Sequence, residues 1–126
     1  MTQGEVRNYT VSARSTDTFG RVLCSTRNHH FVVDGPIQNG CPGEEVTPAE
    51  LFLAGVAACG VELVHAIARD DQIPLRSVNV EVSGALDRSR PVRRDVTVFN
   101  SVRLRFDLAG VSQAQGAALI DKFKGR

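Results

Sequence analysis

Of the three cysteines in this 126-residue chain, Cys24, Cys41 and Cys59, only Cys59 stands in a setting built for chemistry. It lies within TPAELFLAGVAACGVELVHAIAR, residues 47–69, a run of apolar and small residues broken by few charges. A thiol attacks or ligates as its thiolate, so reactivity requires something that lowers its pKa. From composition alone, a lone cysteine among alanines is an inert small hydrophobe. The reactive alternative needs a neighbouring cation or a helix N-terminus. Cys59 sits in the middle of the run, where a helix dipole contributes little. Glu62, one turn on, would push the thiol the wrong way. Activation must therefore come from a cation on another segment, and the chemistry it would enable is nucleophilic thiol redox.

Glu50 is the nearest carboxylate upstream, nine residues before Cys59. On one helix that spacing means opposite faces and about 13 Å along the axis, so the two cannot share a site within one chain. A capping role for Glu50 needs no catalysis at all. If it cooperates with Cys59, it must come from a second chain, and Gly55, Ala57, Ala58 and Gly60 would let two such helices approach closely. The remaining polar residues read more plainly. His29-His30 has no acid or thiol at metal-ligand spacing and reads as a surface pair. His65 stands three residues from Glu62, a solvated pair. Cys24 and Cys41 are too isolated for a zinc site. Arg88, Arg90, Arg93 and Arg94 surround Pro91 in a charged loop, read as a solvated turn rather than a phosphate site. No metal or cofactor is expected, and no dinucleotide, P-loop, serine-hydrolase or zinc-protease motif is present in the sequence.

The element that must carry Cys59 is a helix. Thr47 is placed to cap it, Pro48 suits its first position, and Glu50 completes a capping box. Taking Glu50 as the origin at about 100° per residue, Val61, His65, Arg69 and Glu62 fall on a mostly polar stripe between roughly 20° and 120°. Cys59 falls at roughly 180°, beside Phe52, Gly55, Leu63 and Ala66. This predicts a thiol on the floor of a pocket rather than in open water. A helix apolar nearly all the way round belongs inside a fold or an interface.

Around it the sequence predicts strands. Tyr9, Val11 and Ala13 alternate as a half-buried strand; Asp17 to Gly20 supplies a turn; Arg21 to Thr26 and His30 to Asp34 follow as strands. Gly35-Pro36 ends that block, and residues 39–45 form a loop carrying Cys41. After Pro74, Val78, Val80 and Val82 alternate with polar neighbours, with Leu86 extending the apolar face. A second strand is expected from Val96 to Leu108, with Val102, Leu104, Phe106 and Leu108 inward. Ser112 and Gln115 then cap a helix whose apolar side is Ala114, Ala118, Leu119 and Phe123. The size suits a single domain over residues 1–126. A net charge of +1 and 42% hydrophobic residues give no argument for nucleic acid or membrane binding. Residues 1–10 are polar, no apolar run reaches the length of a membrane span, and three cysteines form no disulfide framework, so a cytoplasmic location is expected.

The order of motifs VVDGP, TPAELFLAGVAAC, IPLRSVNVEVSGALD and VRLRFDLAG resembles the OsmC/organic hydroperoxide resistance (Ohr) family over about residues 30–126. The T-P-x-E-L and A-A-C pair at this spacing is the most specific part. The resemblance implies an α+β fold of antiparallel sheets around a long buried central helix, intertwined as an obligate homodimer. It implies reduction of organic hydroperoxides by a helix-borne cysteine, with a dithiol as electron donor. By motif, Cys59 corresponds to the peroxidatic cysteine and Glu50 to the glutamate that orients an arginine near it. Among Arg14, Arg21 and Arg27, Arg21 is the arginine favoured here, because it follows the turn glycine. The wall of Phe52, Val56 and Leu63 suits an alkyl peroxide. The family's resolving cysteine follows the last helix in a Cys-Pro-Val-like run before a final strand, and this sequence ends before that point. Either the sequence is truncated or that thiol is absent; Cys41 is the candidate substitute, ahead of Cys24. The rival expectation is a non-catalytic dimer of the same fold that binds a small apolar ligand in its interfacial pocket.

Overall fold

A computed structural model of the protein describes residues 5–95 and 97–125. The chain divides into two compact units, Met1–Leu51 and Phe52–Arg126. Together they hold the two antiparallel sheets and long helix expected of this α+β chain.

In the first unit, β1 (Ser12–Ser15), β2 (Arg21–Thr26) and β3 (His29–Asp34) form an antiparallel sheet in the order β1-β2-β3. A two-residue turn, Arg27-Asn28, joins β2 to β3, with Arg27 in the left-handed region at φ 52. Positive φ is what a tight hairpin requires of its first turn residue. The register sets Arg21 opposite Asp34 and Cys24 opposite Phe31. The half-buried strand expected at Tyr9, Val11 and Ala13 is corrected. β1 starts only at Ser12, all four of its residues are exposed, and so are Tyr9 and Val11. An edge strand with no layer over it within its own unit has nothing to bury its apolar residues against.

The long helix α1 runs Pro48–Asp70. Its start is the predicted box: the Thr47 backbone N–H and hydroxyl donate to Glu50 Oε1 at 3.0 and 2.9 Å, and the Glu50 N–H donates to Thr47 Oγ1 at 3.4 Å. It ends as Gln72 turns left-handed at φ 56 and the Ile73 N–H reaches back to the Ala68 carbonyl, just ahead of Pro74.

In the second unit, β4 (Ser77–Ala85) and β5 (Ser101–Ala109) pair antiparallel, and α2 (Gln113–Lys124) follows. Val64, Ile67 and Ala68 of α1, Val78 of β4 and Leu119 of α2 form its core, with Val80, Phe106, Leu108 and Phe123 packed against them. Val102, Leu104, Phe106 and Leu108 alternate with exposed Arg103, Arg105 and Asp107, as the period of two predicts. Gly60 lets α1 come down on this sheet: a Cβ there would lie 3.4 Å from the Phe106 ring. The Ser112–Gln115 box caps α2, but its buried side is Leu119 with half-buried Ile120 and Phe123; Ala114 and Ala118 are exposed. A methyl group offers too little area to set a helix's orientation against a leucine and a phenylalanine.

The strand expected from Val96 starts instead at Ser101, and Val96 itself lies outside the described residues. Asn100 accounts for the later start. Its side chain accepts from the Asp87 N–H at 2.7 Å and donates to the Arg90 carbonyl at 2.7 Å, closing the base of the loop. Leu86, expected to extend the apolar face, lies beyond the end of β4 and is exposed. Phe99 leaves the sheet plane to stack on Phe52, ring centroids 5.5 Å apart. It lies over Gly84, where a Cβ would come within 2.8 Å of its ring.

Gly110 turns the chain from β5 toward α2 at φ +90, with space for a Cβ only 2.7 Å from the Pro74 carbonyl oxygen. Gly110→Ala should therefore destabilise the protein by roughly 1–3 kcal/mol in denaturant melts, from left-handed strain and the clash together.

Candidate functional site

Cys59 does not lie on the floor of a pocket within the single chain: it is exposed. The reason is which face of α1 the sheet takes. The buried residues Gly60, Val64, Ile67 and Ala68 recur at helical spacing and point to β4–β5. Cys59 stands roughly 100° round the helix from Gly60 and roughly 140° from Val64, on the side the sheet leaves open. Leu51, Phe52, Ala54, Gly55, Ala58 and Glu62 are exposed along that open side. A shallow groove along the helix is lined by Ala58, Val61, Glu62, His65, Ala66 and Arg69, and Cys59 is not among its lining residues. So the helix is covered by its own fold over four residues and uncovered along most of its length. By length and apolarity α1 could also cross a bilayer. Its packing on the β4–β5 sheet and the exposed Glu62, His65 and Arg69 mark it instead as the core helix of an α+β unit.

The apolar wall expected beside the thiol is partly formed. Val56 and Leu63 are half-buried, while Phe52 is 57% exposed even with Phe99 against one face. Phe52 and Cys59 are seven residues apart, which places them on one stripe of the helix about 10 Å apart along the axis. Phe99, which braces Phe52, lies where the period of two predicts a strand interior. The asparagine that follows it, a residue strands disfavour, was the available signal.

Glu50 is exposed, and its carboxylate is engaged by the Thr47 cap, whose backbone N–H and hydroxyl hold it below the usual glutamate pKa. Arg21 has other partners. Its Nε donates to Asp34 Oδ1 at 2.8 Å and its Nη2 to Asp34 Oδ2 at 2.9 Å, a bidentate pair between cross-strand neighbours. The same Nη2 donates to Glu44 Oε1 at 2.8 Å. Asp34 is the one buried charged residue among those described, with no exposed surface. Its Oδ2 accepts from the Glu44 and Glu45 N–H groups as well, each at 3.0 Å. An aspartate out of water must be paired and hydrogen-bonded to stay charged. The Arg21 guanidinium beside it and the two amides hold its carboxyl well below the usual range, and the two carboxylates push Arg21 further up. The sequence reading named Arg21 but passed over Asp34, whose signal was its place at the end of a strand, opposite an arginine.

Cys41 sits in the loop after β3, half-buried in a notch between Gly20 and Gly35, where a Cβ on either glycine would come within 2.5 Å of its sulfur. Cys24 is buried within β2. His29 and His30 are exposed, with His30 Nδ1 2.8 Å from Ser25 Oγ. In the β4–β5 loop Arg93 pairs with Asp95, and all four arginines are exposed.

Comparison with known proteins adds the frame for these residues. The chain superimposes on an OsmC-like protein from Mycoplasma pneumoniae with a TM-score of 0.79 at 17% identity, covering 95% of this chain and 82% of that one. An organic hydroperoxide resistance protein OsmC from Legionella pneumophila matches with a TM-score of 0.72 at 23% identity over 94% and 82%. An organic hydroperoxide resistance protein from Elizabethkingia anophelis matches at 0.69 and 19% identity over 95% and 83%. At these identities the likeness speaks for the fold. Comparison with curated proteins finds no match. The family model described as OsmC-like protein matches residues 41–126, which takes in all of α1 with its cysteine, the β4–β5 sheet and the capped α2. That match, over more than half the sequence, makes this chain a member of the OsmC-like protein family.

Proposed function

We propose that the protein is a thiol-dependent peroxidase that reduces organic hydroperoxides, with Cys59 as nucleophile and a homodimer as the working form. The observation that carries the reading is an exposed thiol, flanked by Phe52 and half-buried Leu63, on the uncovered side of the family's central helix. Membership of the OsmC-like family supports a peroxidase-type role at the level of the family. In the first step the Cys59 thiolate attacks one peroxide oxygen and the O–O bond breaks. The sulfur gains that oxygen as a sulfenic acid, and the alkoxide leaves and takes a proton to become the alcohol. A dithiol reductant then attacks the sulfenic acid, water departs, and the resulting mixed disulfide is released by the donor's second thiol. Arg21 is the cation assigned to the thiolate, and the cytoplasm, where thiol reductants are available, is the compartment.

A second copy of the chain is the partner that the uncovered helix face supports. Leu51, Phe52, Ala54, Gly55 and Ala58 form an exposed apolar and small-residue stripe that a second α1 could approach closely. Covering it would enclose Cys59 beside Phe52, Val56 and Leu63, an apolar wall that suits an alkyl peroxide better than hydrogen peroxide.

The test is steady-state reduction of cumene hydroperoxide and of hydrogen peroxide with dithiothreitol as donor. The expected result is turnover of the organic peroxide with at least about tenfold preference over hydrogen peroxide, the order of discrimination an apolar pocket gives. Absence of turnover, together with tight binding of a small apolar probe, would favour the non-catalytic ligand-binding reading.

A further inference from the structure

We infer that the loop joining β4 to β5 binds a small organic phosphate, an apolar body carrying a phosphomonoester, and that Arg88 and Arg94 take the phosphate. None of the residues involved belongs to α1, so the site does not depend on the thiol chemistry proposed above.

The loop surrounds an open cavity of about 680 Å³. Small-molecule sites span roughly 300–1,000 Å³ and combine apolar walls with a few converging polar groups. Here Leu86, Pro91 and Val98 line the cavity together with Arg88, Arg93 and Arg94. The fourth arginine of the loop, Arg90, is not in the lining, and its carbonyl serves the loop base through Asn100.

The arginines are unequally paired. Asp87 and Asp95 also line the cavity, and both are already engaged. Asp87 accepts from the Ser89 N–H at 3.0 Å and from the Ser89 hydroxyl at 2.5 Å. Asp95 accepts from Arg93 through Nε at 3.0 Å and through Nη2 as well. Among the described residues Arg88 and Arg94 have no ion pair. Two cations gathered at one cavity repel each other unless an anion joins them. A phosphomonoester brings close to two negative charges and three acceptor oxygens, which two guanidinium forks can share. A carboxylate brings half that charge.

The base of the loop is held before any ligand arrives. The Asn100 side chain accepts from the Asp87 N–H and donates to the Arg90 carbonyl, each at 2.7 Å. The Asn100 N–H donates to the Ala85 carbonyl at 2.8 Å, and the Arg90 N–H to the Asp87 carbonyl at 3.2 Å. Pro91 adds a fixed φ. A loop fixed in this way gives up less freedom on binding. Spacing alone reads these arginines as a solvated turn; the cavity and the pairing pattern single out two of the four.

The test is isothermal titration calorimetry of the intact protein with phenyl phosphate, with phenol, inorganic phosphate and benzoate as comparison ligands. Phenyl phosphate should bind at one site per chain. Phenol, without the charge, and inorganic phosphate, without the apolar body, should each bind at least about tenfold more weakly. Benzoate should also bind more weakly than phenyl phosphate. Arg88→Gln and Arg94→Gln should each weaken phenyl phosphate binding about tenfold. Arg90→Gln removes the same charge outside the cavity and should change it less than about threefold. All three arginines are exposed, so the variants should melt as the parent protein does. Absence of binding, or phenol binding as tightly as phenyl phosphate, overturns the inference. Benzoate binding as tightly overturns the assignment to a phosphate. An Arg90→Gln loss as large as those of Arg88→Gln and Arg94→Gln overturns the site, because diffuse charge attraction would then account for the binding.

Discussion

Replacing Cys59 by serine should reduce organic hydroperoxide turnover by ~10³-fold or more while leaving the protein folded. Serine keeps the size and shape of cysteine but presents a neutral hydroxyl where the thiolate attacks, and its oxygen cannot be carried through a sulfenic acid. Loss of the nucleophile removes the step itself, so the change should appear in kcat rather than in substrate affinity. Stability should hold within about 0.5 kcal/mol, because the side chain is exposed and packs no core. The check is the cumene hydroperoxide assay on both proteins, with thermal melts alongside. Equal rates would remove the peroxidase reading and leave the ligand-binding one. The same comparison for Cys41→Ser separates a resolving role from a nucleophilic one. Loss of the second thiol would leave the first oxidation intact, and a single sulfenic acid per chain would be trapped by dimedone.

The second large effect falls on stability. Leu119→Ala should cost about 3 kcal/mol and lower the melting temperature by on the order of 10 °C. Leu119 is fully buried and brings α2 into the cluster of Val64, Ile67, Ala68 and Val78. These neighbours belong to two elements, α1 and β4, already fixed by their own hydrogen bonding, so a cavity there can collapse only in part. Denaturant melts of the two proteins measure it. A loss under 1 kcal/mol would show that α2 is not held by this contact.

Much of the fold could be read directly from the chain. Thr47, Pro48 and Glu50 fixed the start of α1 because a capping box is a local contract among residues three apart, and it forms as written. The alternation from Val102 to Leu108 fixed β5 for the same reason: side chains in a strand change face at every step, whatever lies beyond. The T-P-x-E-L and A-A-C motifs carried the family. What local pattern did not contain was competition between distant groups. The exposure of Tyr9 and Val11, the departure of Phe99 from the sheet onto Phe52, and the dominance of Leu119 over Ala118 each depend on which surface happens to lie opposite.

The candidate site divides along the same line. The sequence by itself determined that Cys59 lies mid-helix, that Glu50 serves the helix start and that one chain cannot bring the two together, because helical rise and rotation are set by the backbone alone. Only the tertiary structure decided that the sheet takes the Gly60–Val64–Ile67 face and leaves Cys59 open, and that Arg21 answers to Asp34 and Glu44. Strand register and loop closure bring those charges together across 13 and 23 positions of chain. No periodicity in a sequence encodes a pairing made through space, whereas burial of a carboxylate compels one.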